Sequence, residues 1–264
     1  MKNQQKKKRN IKKIVICVII ALLVVVLAVF GVLQFLKYQK EKQKEKNEAS
    51  YKKIQEKVIS TPEVSTNEAG DDITVDFTAL QAMNPDIYAW IYIPGTDISY
   101  PIVQSGGEDQ NYYLNYTVEN VYGLPGSIYT ENVNSKDFTD FATIMYGHEM
   151  LDGSMFGGLK SYRDIAYWQE HPEIYIYTPE KKLTFRIFAA VIFSDVYIPE
   201  AYDFSTVEGM GQYITDIQST QDVNSHVFED AALDTNSKLL TLSTCISDQP
   251  SNRYLVEAYL TNEE

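Results

Sequence analysis

The sequence predicts a mainly β fold: an antiparallel barrel or sandwich of about eight strands with peripheral helices, preceded by one N-terminal transmembrane helix. Three observations predict it. There is one long apolar run near the N-terminus, a series of short segments that alternate apolar and polar residues, and turn residues between most of these segments. Once the N-terminal region is set aside, roughly 200 residues remain for one globular unit.

The apolar run covers residues 14–36 and reads IVICVIIALLVVVLAVFGVLQFL. As a helix, at about 1.5 Å per residue, it spans roughly 34 Å, which suffices for one membrane crossing. A cleaved signal peptide usually has a shorter apolar stretch of about 7–15 residues and a small-residue cleavage site, which this run lacks. We therefore expect the run to stay in the protein as a membrane anchor.

Basic residues flank this run on both sides. The cluster within residues 1–13 contains no acid, whereas the cluster after the run is interleaved with Glu41, Glu45 and Glu48. Positive charge favours the cytoplasmic side of a membrane. We expect a single-pass protein of the cell membrane, with residues 1–13 as a cytoplasmic tail and the remainder outside the cell.

The region beyond the membrane run divides into two parts. Residues 37–70 are rich in Lys, Glu, Gln and Asn and end in STPEVSTNEAG, which predicts a polar juxtamembrane helix that frays into a linker. Residues 71–264 are expected to form one folded domain, with helices near 76–88, 154–171 and 206–220. The candidate strands of this domain are AWIYIP, ISYPIV, GSIYTE, FATIMYG, EIYIYTP, KLTFRIFAAVIF, KLLTLSTC and RYLVEAYL.

Charge and motifs limit the possible partners. Residues 54–264 carry 9 basic and 33 acidic side chains, a net charge of about −24. Such a domain is a poor partner for nucleic acid, because phosphate binding relies on clustered Lys and Arg. The charge favours a basic peptide or an amine-bearing acceptor, although it can also serve solubility alone. No metal-ligand spacing, Walker motif or dinucleotide-binding motif is found, so neither a metal nor a cofactor is expected.

Cys245 is a candidate nucleophile. The other cysteine, Cys17, lies within the membrane run, so the external domain cannot form an internal disulfide. Cys245 ends the segment KLLTLSTC and is followed by the polar loop ISDQPSN. A free cysteine is often only a buried apolar residue, and that alternative remains open on position alone.

His148 and Arg253 are the candidate partners of this cysteine. His148 follows the apolar segment FATIMYG and begins a loop, whereas His171 and His226 have contexts typical of surface or capping residues. Arg253 opens the last strand, so a hairpin would return its guanidinium towards Cys245. A thiol, an imidazole and a permanent cation together suit acyl transfer. A structural histidine and an arginine paired with a surface acid are the alternatives.

These segments together resemble the sortase family of cysteine transpeptidases, over about residues 75–262. The resemblance rests on TLSTC at 241–245, YGH at 146–148 and Arg253 at the start of the last strand. The segments DGSMFGGL and GSIYTENVN and the helix near 206–220 make class B the most similar class. The resemblance implies a closed, roughly eight-stranded sortase-type β-barrel.

The resemblance also implies roles for individual residues. Cys245 would be the nucleophile and His148 the general acid and base. Arg253 would orient the substrate carbonyl or stabilise the oxyanion, and Ser243 would line the peptide groove. Tyr197 and Ile198 lie where class B enzymes tend to contact their substrate, although the alignment there is loose.

The expected activity is that of a membrane-anchored transpeptidase of a Gram-positive cell. It would cleave the C-terminal sorting signal of a secreted protein after Thr through a thioester, and pass the acyl group to an amine of a lipid-linked cell-wall precursor or of a pilin. Some members carry an acid directly after the nucleophile, where this chain has Ile246. The alternatives are a papain-like cell-wall cysteine peptidase, in which cysteine precedes histidine, and an anchored binding module with an inert Cys245.

Overall fold

The computed structural model describes residues 2–60, 73–228 and 231–264, the residues before Leu22 by their backbone alone. The predicted linker at 61–70 therefore lies outside the described residues. The chain divides into two units, Met1–Lys46 and Asn47–Glu264.

Helix α1 runs from Lys2 to Val58. From Leu22 onward it contains an exposed apolar stretch that is long and apolar enough to cross a membrane, which agrees with the predicted N-terminal helix. The last three turns of α1 belong to the second unit, where Tyr51, Ile54 and Val58 are buried. The compact unit thus begins at Asn47, within the segment that the sequence assigned to a polar helix and linker.

Short elements make up the rest of the second unit. The helices that follow are α2 (Phe77–Met83), α3 (Tyr112–Asn115), a 3₁₀ helix (Phe156–Arg163), α4 (Ile165–Glu170), α5 (Ile198–Ala201) and α6 (Val207–Gln218). The strands are β1 (Ile59–Ser60), β2 (Thr74–Val75), β3 (Ile87–Tyr92), β4 (Ser99–Val103), β5 (Ile128–Thr130), β6 (Ala142–Tyr146), β7 (Glu173–Tyr177), β8 (Lys182–Ser194), β9 (His226–Val227), β10 (Leu239–Cys245) and β11 (Asn252–Glu263).

Within the described residues, eight strands close into a barrel. Their order is β11, β10, β6, β5, β4, β3, β7 and β8, and β8 pairs with β11 to complete the ring. Strand β9 extends the sheet from β8, and β1 pairs with β2 separately. The closed barrel of about eight strands is therefore confirmed. It is not wholly antiparallel, because β6–β10 and β4–β5 are parallel pairs joined by long connections.

Two apolar clusters lie on the two sides of β10. One cluster fills the barrel interior and includes Leu240 and Leu242, while the other lies under α6 and includes Leu239, Tyr213 and Ile217. Successive side chains of a strand point to opposite faces, so β10 is covered on both. Each residue of β10 is buried except the last, which is exposed.

The predicted helices are present, with two differences. The helix expected near 76–88 ends at Met83, because Asn84 precedes Pro85 and adopts an extended conformation. The stretch 154–171 is divided at Asp164, whose side chain caps α4 by accepting a hydrogen bond from the Ala166 N–H. The helix predicted near 206–220 is α6.

Candidate active site

Cys245 is placed by strand β10. The odd-numbered residues of β10 share one face, on which Leu239 and Thr241 lie beneath α6. Ser243 and Cys245 continue this face beyond the helix, so both line an open groove. Strand β10 is thus buried along its length and ends in an exposed, free thiol.

Arg253 faces Cys245 across the β10–β11 pair. The two residues are direct partners in the antiparallel register, so their side chains lie on the same face of the sheet. The guanidinium Nη1 donates hydrogen bonds to the backbone oxygens of Pro250, at 3.1 Å, and Asn252, at 2.9 Å. The connecting loop therefore orients the cation beside the thiol.

His148 is placed by β6, which runs parallel to β10. The pairing reaches Tyr146 opposite Ser243 and is extended by the Gly147 N–H, which donates to the Ser243 oxygen at 3.2 Å. A side chain at position 147 would meet Ile128 and Phe156 at under 3 Å, so any larger residue would have to displace the buried Phe156 ring. His148 is thereby delivered to the same end of the barrel as Cys245.

One hydrogen bond sets the tautomer of His148. The ring Nε2 lies 2.7 Å from the carbonyl oxygen of Leu114. Because a carbonyl oxygen only accepts, Nε2 carries the hydrogen. In the neutral ring Nδ1 then has the free lone pair, and in the charged ring Nδ1 has the proton that can be given away.

The four residues that the sequence singled out line one groove of about 520 Å³. The fold thus brings together all four predicted site residues: His148, Ser243, Cys245 and Arg253. His171 and His226 are outside this groove. His171 caps α4 and contacts the carbonyl oxygen of Pro94, and His226 contacts that of Arg163.

Several further residues line the groove for which the sequence predicted no role in the site. Tyr197 and Ile198, which the alignment left loose, are among them. The Tyr197 hydroxyl donates a 2.8 Å hydrogen bond to Glu131, a nearly buried carboxylate at the end of β5. The others are Gln110, Asn111, Leu114, Tyr129, Tyr146, Gly147, Ser194, Asp195, Val196, Thr244 and Leu255.

The tyrosines of the groove stay protonated at neutral pH. Burial raises the pKa of Tyr197 to about 12, and the hydrogen bond to Glu131 and the charge of that residue add to the effect. Burial also raises the pKa of Tyr129 and Tyr146, with Glu131 again adding to it. These hydroxyls therefore act as neutral hydrogen-bonding groups in the groove wall.

Among the described residues, no group of three or more His, Cys, Asp or Glu side chains is placed to hold a metal ion. The chemistry available in the groove is that of a thiol, an imidazole and a guanidinium. These groups can form and resolve an acyl-enzyme intermediate.

Comparison with known proteins gives a consistent result. Residues 91–261 match the model of the sortase domain family. Sortase B of Listeria monocytogenes is 29% identical over 210 residues, which cover 78% of this chain and 82% of that protein. Sortase B from B. anthracis in complex with AAEK1 has a TM-score of 0.67 and 29% identity, over 85% of this chain and 99% of that one.

A third relative is a Streptococcus pyogenes class B sortase involved in pilus biogenesis. It has a TM-score of 0.60 and 29% identity, and the alignment covers 71% of this chain and 98% of that one.

Proposed function

Since this chain belongs to the sortase family and most resembles class B, it is a cysteine transpeptidase, and we propose that it joins secreted proteins to the cell wall from a membrane anchor. The proposed substrate is a C-terminal sorting signal, cleaved after a threonine. The observation that carries the proposal is the groove in which Cys245, His148 and Arg253 meet at the ends of β10, β6 and β11.

The first half of the reaction uses Cys245 and His148. The Cys245 thiolate attacks the carbonyl carbon of the threonine, and a bond between sulfur and carbon forms. The bond between that carbon and the following nitrogen breaks, and the departing amine takes a proton from His148. The hydrogen bond from Nε2 to Leu114 supports Nδ1 as the nitrogen that gives the proton.

Arg253 and Ser243 have supporting roles in the proposal. The tetrahedral intermediate carries a negative oxygen, and a guanidinium beside the nucleophile stabilises that charge. The cross-strand pairing of Cys245 with Arg253 supports this role. Ser243 is nearly buried two residues before the nucleophile on the same face, which suits a contact with the peptide backbone.

The second half of the reaction needs an acceptor amine. The amine gives a proton to His148 and attacks the thioester carbonyl carbon. The bond between carbon and sulfur breaks, an amide forms, and the Cys245 thiolate and protonated His148 of the first half are restored. The proposed acceptor is an amine of a lipid-linked cell-wall precursor or a lysine of a pilin. The acidic character of residues 54–264 favours an amine-bearing acceptor over an anionic one.

The proposed location is the cell membrane, with the N-terminus in the cytoplasm and the barrel outside. The apolar part of α1 supports a single span. The acid-free basic cluster before the apolar run supports the orientation.

Intact-mass spectrometry tests the nucleophile. The full chain in detergent is incubated with a panel of sorting-signal peptides, beside Cys245→Ala and, as a matched control, Cys17→Ala. We expect an acyl adduct on the parent and on Cys17→Ala, and none on Cys245→Ala. No adduct with any peptide, together with a Cys245 that resists iodoacetamide, would instead support a binding module.

A further inference from the structure

Two loops leave the strand ends that carry the proposed catalytic residues. One follows β6 and contains His148 and Glu149, and the other follows β10 and spans residues 246–252, of which Asn252 is also the first residue of β11. The strands that precede them are joined by backbone pairing as far as Tyr146 and Ser243. Two further hydrogen bonds lie just beyond this pairing. The Gly147 N–H donates to the Ser243 oxygen, and the Thr244 hydroxyl donates to the Gly147 oxygen at 2.8 Å.

Beyond these bonds, a carboxylate connects the two loops. The oxygen Oε2 of Glu149 accepts a hydrogen bond from the Ser247 N–H at 2.7 Å and another from the Ser247 hydroxyl. Hydrogen bonds to an ionised carboxylate are stronger than those between neutral groups. We call this pair of bonds the Glu149–Ser247 tie.

The tie encloses the reactive residues. His148 lies between Gly147 and Glu149, and Cys245 lies between Thr244 and Ser247. The Gly147 bonds on one side and the tie on the other therefore close a ring of covalent and hydrogen bonds that includes residues 148 and 245. A ring closed at two points fixes the separation of the residues between them more firmly than one contact does.

Further hydrogen bonds hold both loops that the tie connects. Glu149 forms a backbone bridge with Met155, which is buried and bonded to the Tyr100 hydroxyl. The loop 246–252 has its own turn, in which the Gln249 N–H donates to the Ile246 oxygen. This loop also supplies Pro250 and Asn252, whose oxygens hold Arg253. A displacement of the loop would thus affect the guanidinium as well as the thiol.

We propose that Glu149 is a positioning residue of the transpeptidation site, which holds the loop 246–252 to the His148 loop and so fixes the geometry of Cys245, His148 and Arg253. Glu149 acts through Ser247 and takes no part in proton transfer. The inference rests on the proposed function for its kinetic consequences. Its geometric basis is independent of the substrate.

The kinetic test uses four variants of the full chain in detergent. Glu149→Ala removes the acceptor, and Glu149→Gln keeps an oxygen that can still accept from Ser247. Ser247→Asp places a second carboxylate against Glu149, and Ser247→Asn is its uncharged control. Position 247 is exposed, so these two variants test the tie even if a change at Glu149 disturbs folding.

We expect Glu149→Ala and Ser247→Asp to lower kcat by about 10-fold while KM stays within about twofold, because misplaced groups slow the chemical step more than they weaken binding. Glu149→Gln and Ser247→Asn should remain within about threefold of the parent kcat. If Ser247→Asp retains a kcat within about twofold of the parent, the proposal is overturned, whatever Glu149→Ala does.

A second measurement needs no peptide. We expect iodoacetamide to alkylate Cys245 at a rate that depends on His148, which lines the same groove. Glu149→Ala and Ser247→Asp should therefore alkylate more slowly, approaching the rate of His148→Ala. Rates equal to that of the parent would contradict the tie. If no peptide is cleaved by the parent, the sorting-signal proposal fails, and the alkylation rates still decide the role of Glu149.

Discussion

At the scale of single residues, the proposed chemistry relies on the pairing of Cys245 with Arg253 across two strands. The guanidinium is planar and carries five N–H donors, and its Nη1 donates to the backbone oxygens of Pro250 and Asn252. A lysine would bring the same charge, but as a compact ammonium without this planar set of donors. The two side chains should therefore not be interchangeable here.

We predict that Arg253→Lys lowers kcat/KM for peptide cleavage by at least about 10-fold, because the oxyanion loses an oriented donor. The matched control is Arg186→Lys, since Arg186 lies outside the groove and is partly exposed beside Glu173. Steady-state kinetics with a quenched peptide measures both. Near-full turnover by Arg253→Lys would remove the oxyanion role and leave the nucleophile assignment intact.

Glu257 is a buried acid that the proposed chemistry does not use. It lies on β11, fully buried, and accepts hydrogen bonds from the hydroxyls of Tyr213 on α6 and Thr241 on β10. Burial raises the pKa of Glu257 to about 8, although these two hydrogen bonds act in the opposite direction. In the folded protein Glu257 is therefore neutral over a pH range in which the same carboxyl group would be ionised in the unfolded chain.

This shift has a definite sign for stability. Between the ordinary pKa of 4.5 and the raised value of about 8, the folded state keeps one proton that the unfolded state has released. The free energy of unfolding therefore falls as pH rises through this range, by about 1.4 kcal/mol per pH unit from this group. The contribution is complete below pH 4.5 and is lost as pH passes through 8.

We predict that Glu257→Gln removes this part of the pH dependence, because an amide resembles the neutral acid and does not ionise. Thermal unfolding of both proteins between about pH 5 and pH 8 measures it. The Tm of the parent should fall relative to that of Glu257→Gln as pH rises, while other groups titrate equally in both. Parallel curves would show that Glu257 is not neutral in the folded protein.

At the scale of elements, the last turns of α1 belong to the unit that contains the barrel. The sequence had placed them in a separate juxtamembrane segment. Tyr51, Ile54 and Val58 are buried against the barrel. The Tyr51 hydroxyl donates to the Gly126 oxygen at 2.6 Å, and the Gln55 amide donates to the Ser99 oxygen at 2.6 Å. The lysines and glutamates around these residues gave the segment a polar composition that concealed its narrow apolar stripe.

We predict that a fragment of residues 47–264 is more stable than a fragment of residues 71–264. Burial of three large side chains contributes about 1.5–3 kcal/mol each, so the shorter fragment should lose at least about 4 kcal/mol. For a unit of this size that corresponds to a Tm lower by roughly 10 °C. Calorimetry of the two fragments measures the difference.

A pair of variants within the longer fragment controls for the effect of length. Tyr51→Ala with Ile54→Ala should reproduce most of the loss, because both side chains are buried. Lys53→Ala with Lys57→Ala should not, because both side chains are exposed. Equal stability of the two fragments would mean that this part of α1 does not contribute to the fold.

At the scale of the whole molecule, much of the barrel could be predicted from alternation and turn residues. Each candidate strand segment contains or overlaps a strand of the structure. The parallel pairing of β6 with β10 could not be predicted, because it joins segments about 100 residues apart and depends on long connections rather than on a local pattern. That pairing is what brings His148 to the end of the barrel that carries Cys245.

Part of the candidate site could also be predicted from the sequence. The residues with distinctive chemistry, Cys245, His148 and Arg253, could be found from their positions at strand ends. The groove wall could not, because Glu131 and Asp195 are ordinary acids in an acidic sequence. Only the fold shows that both line the groove that contains Cys245. Only the loops after β6 and β10 reveal the contact between Glu149 and Ser247.

Acyl transfer from Cys245 to an amine is the step that distinguishes the proposed transpeptidase from a hydrolase. The full chain in detergent is incubated with a cleavable sorting-signal peptide, with and without triglycine, and the products are identified by mass spectrometry. We expect an acyl adduct on Cys245 that triglycine converts into a new amide product. Cleavage that yields only the free acid, in the same amount with or without the amine, would contradict it and indicate a hydrolase.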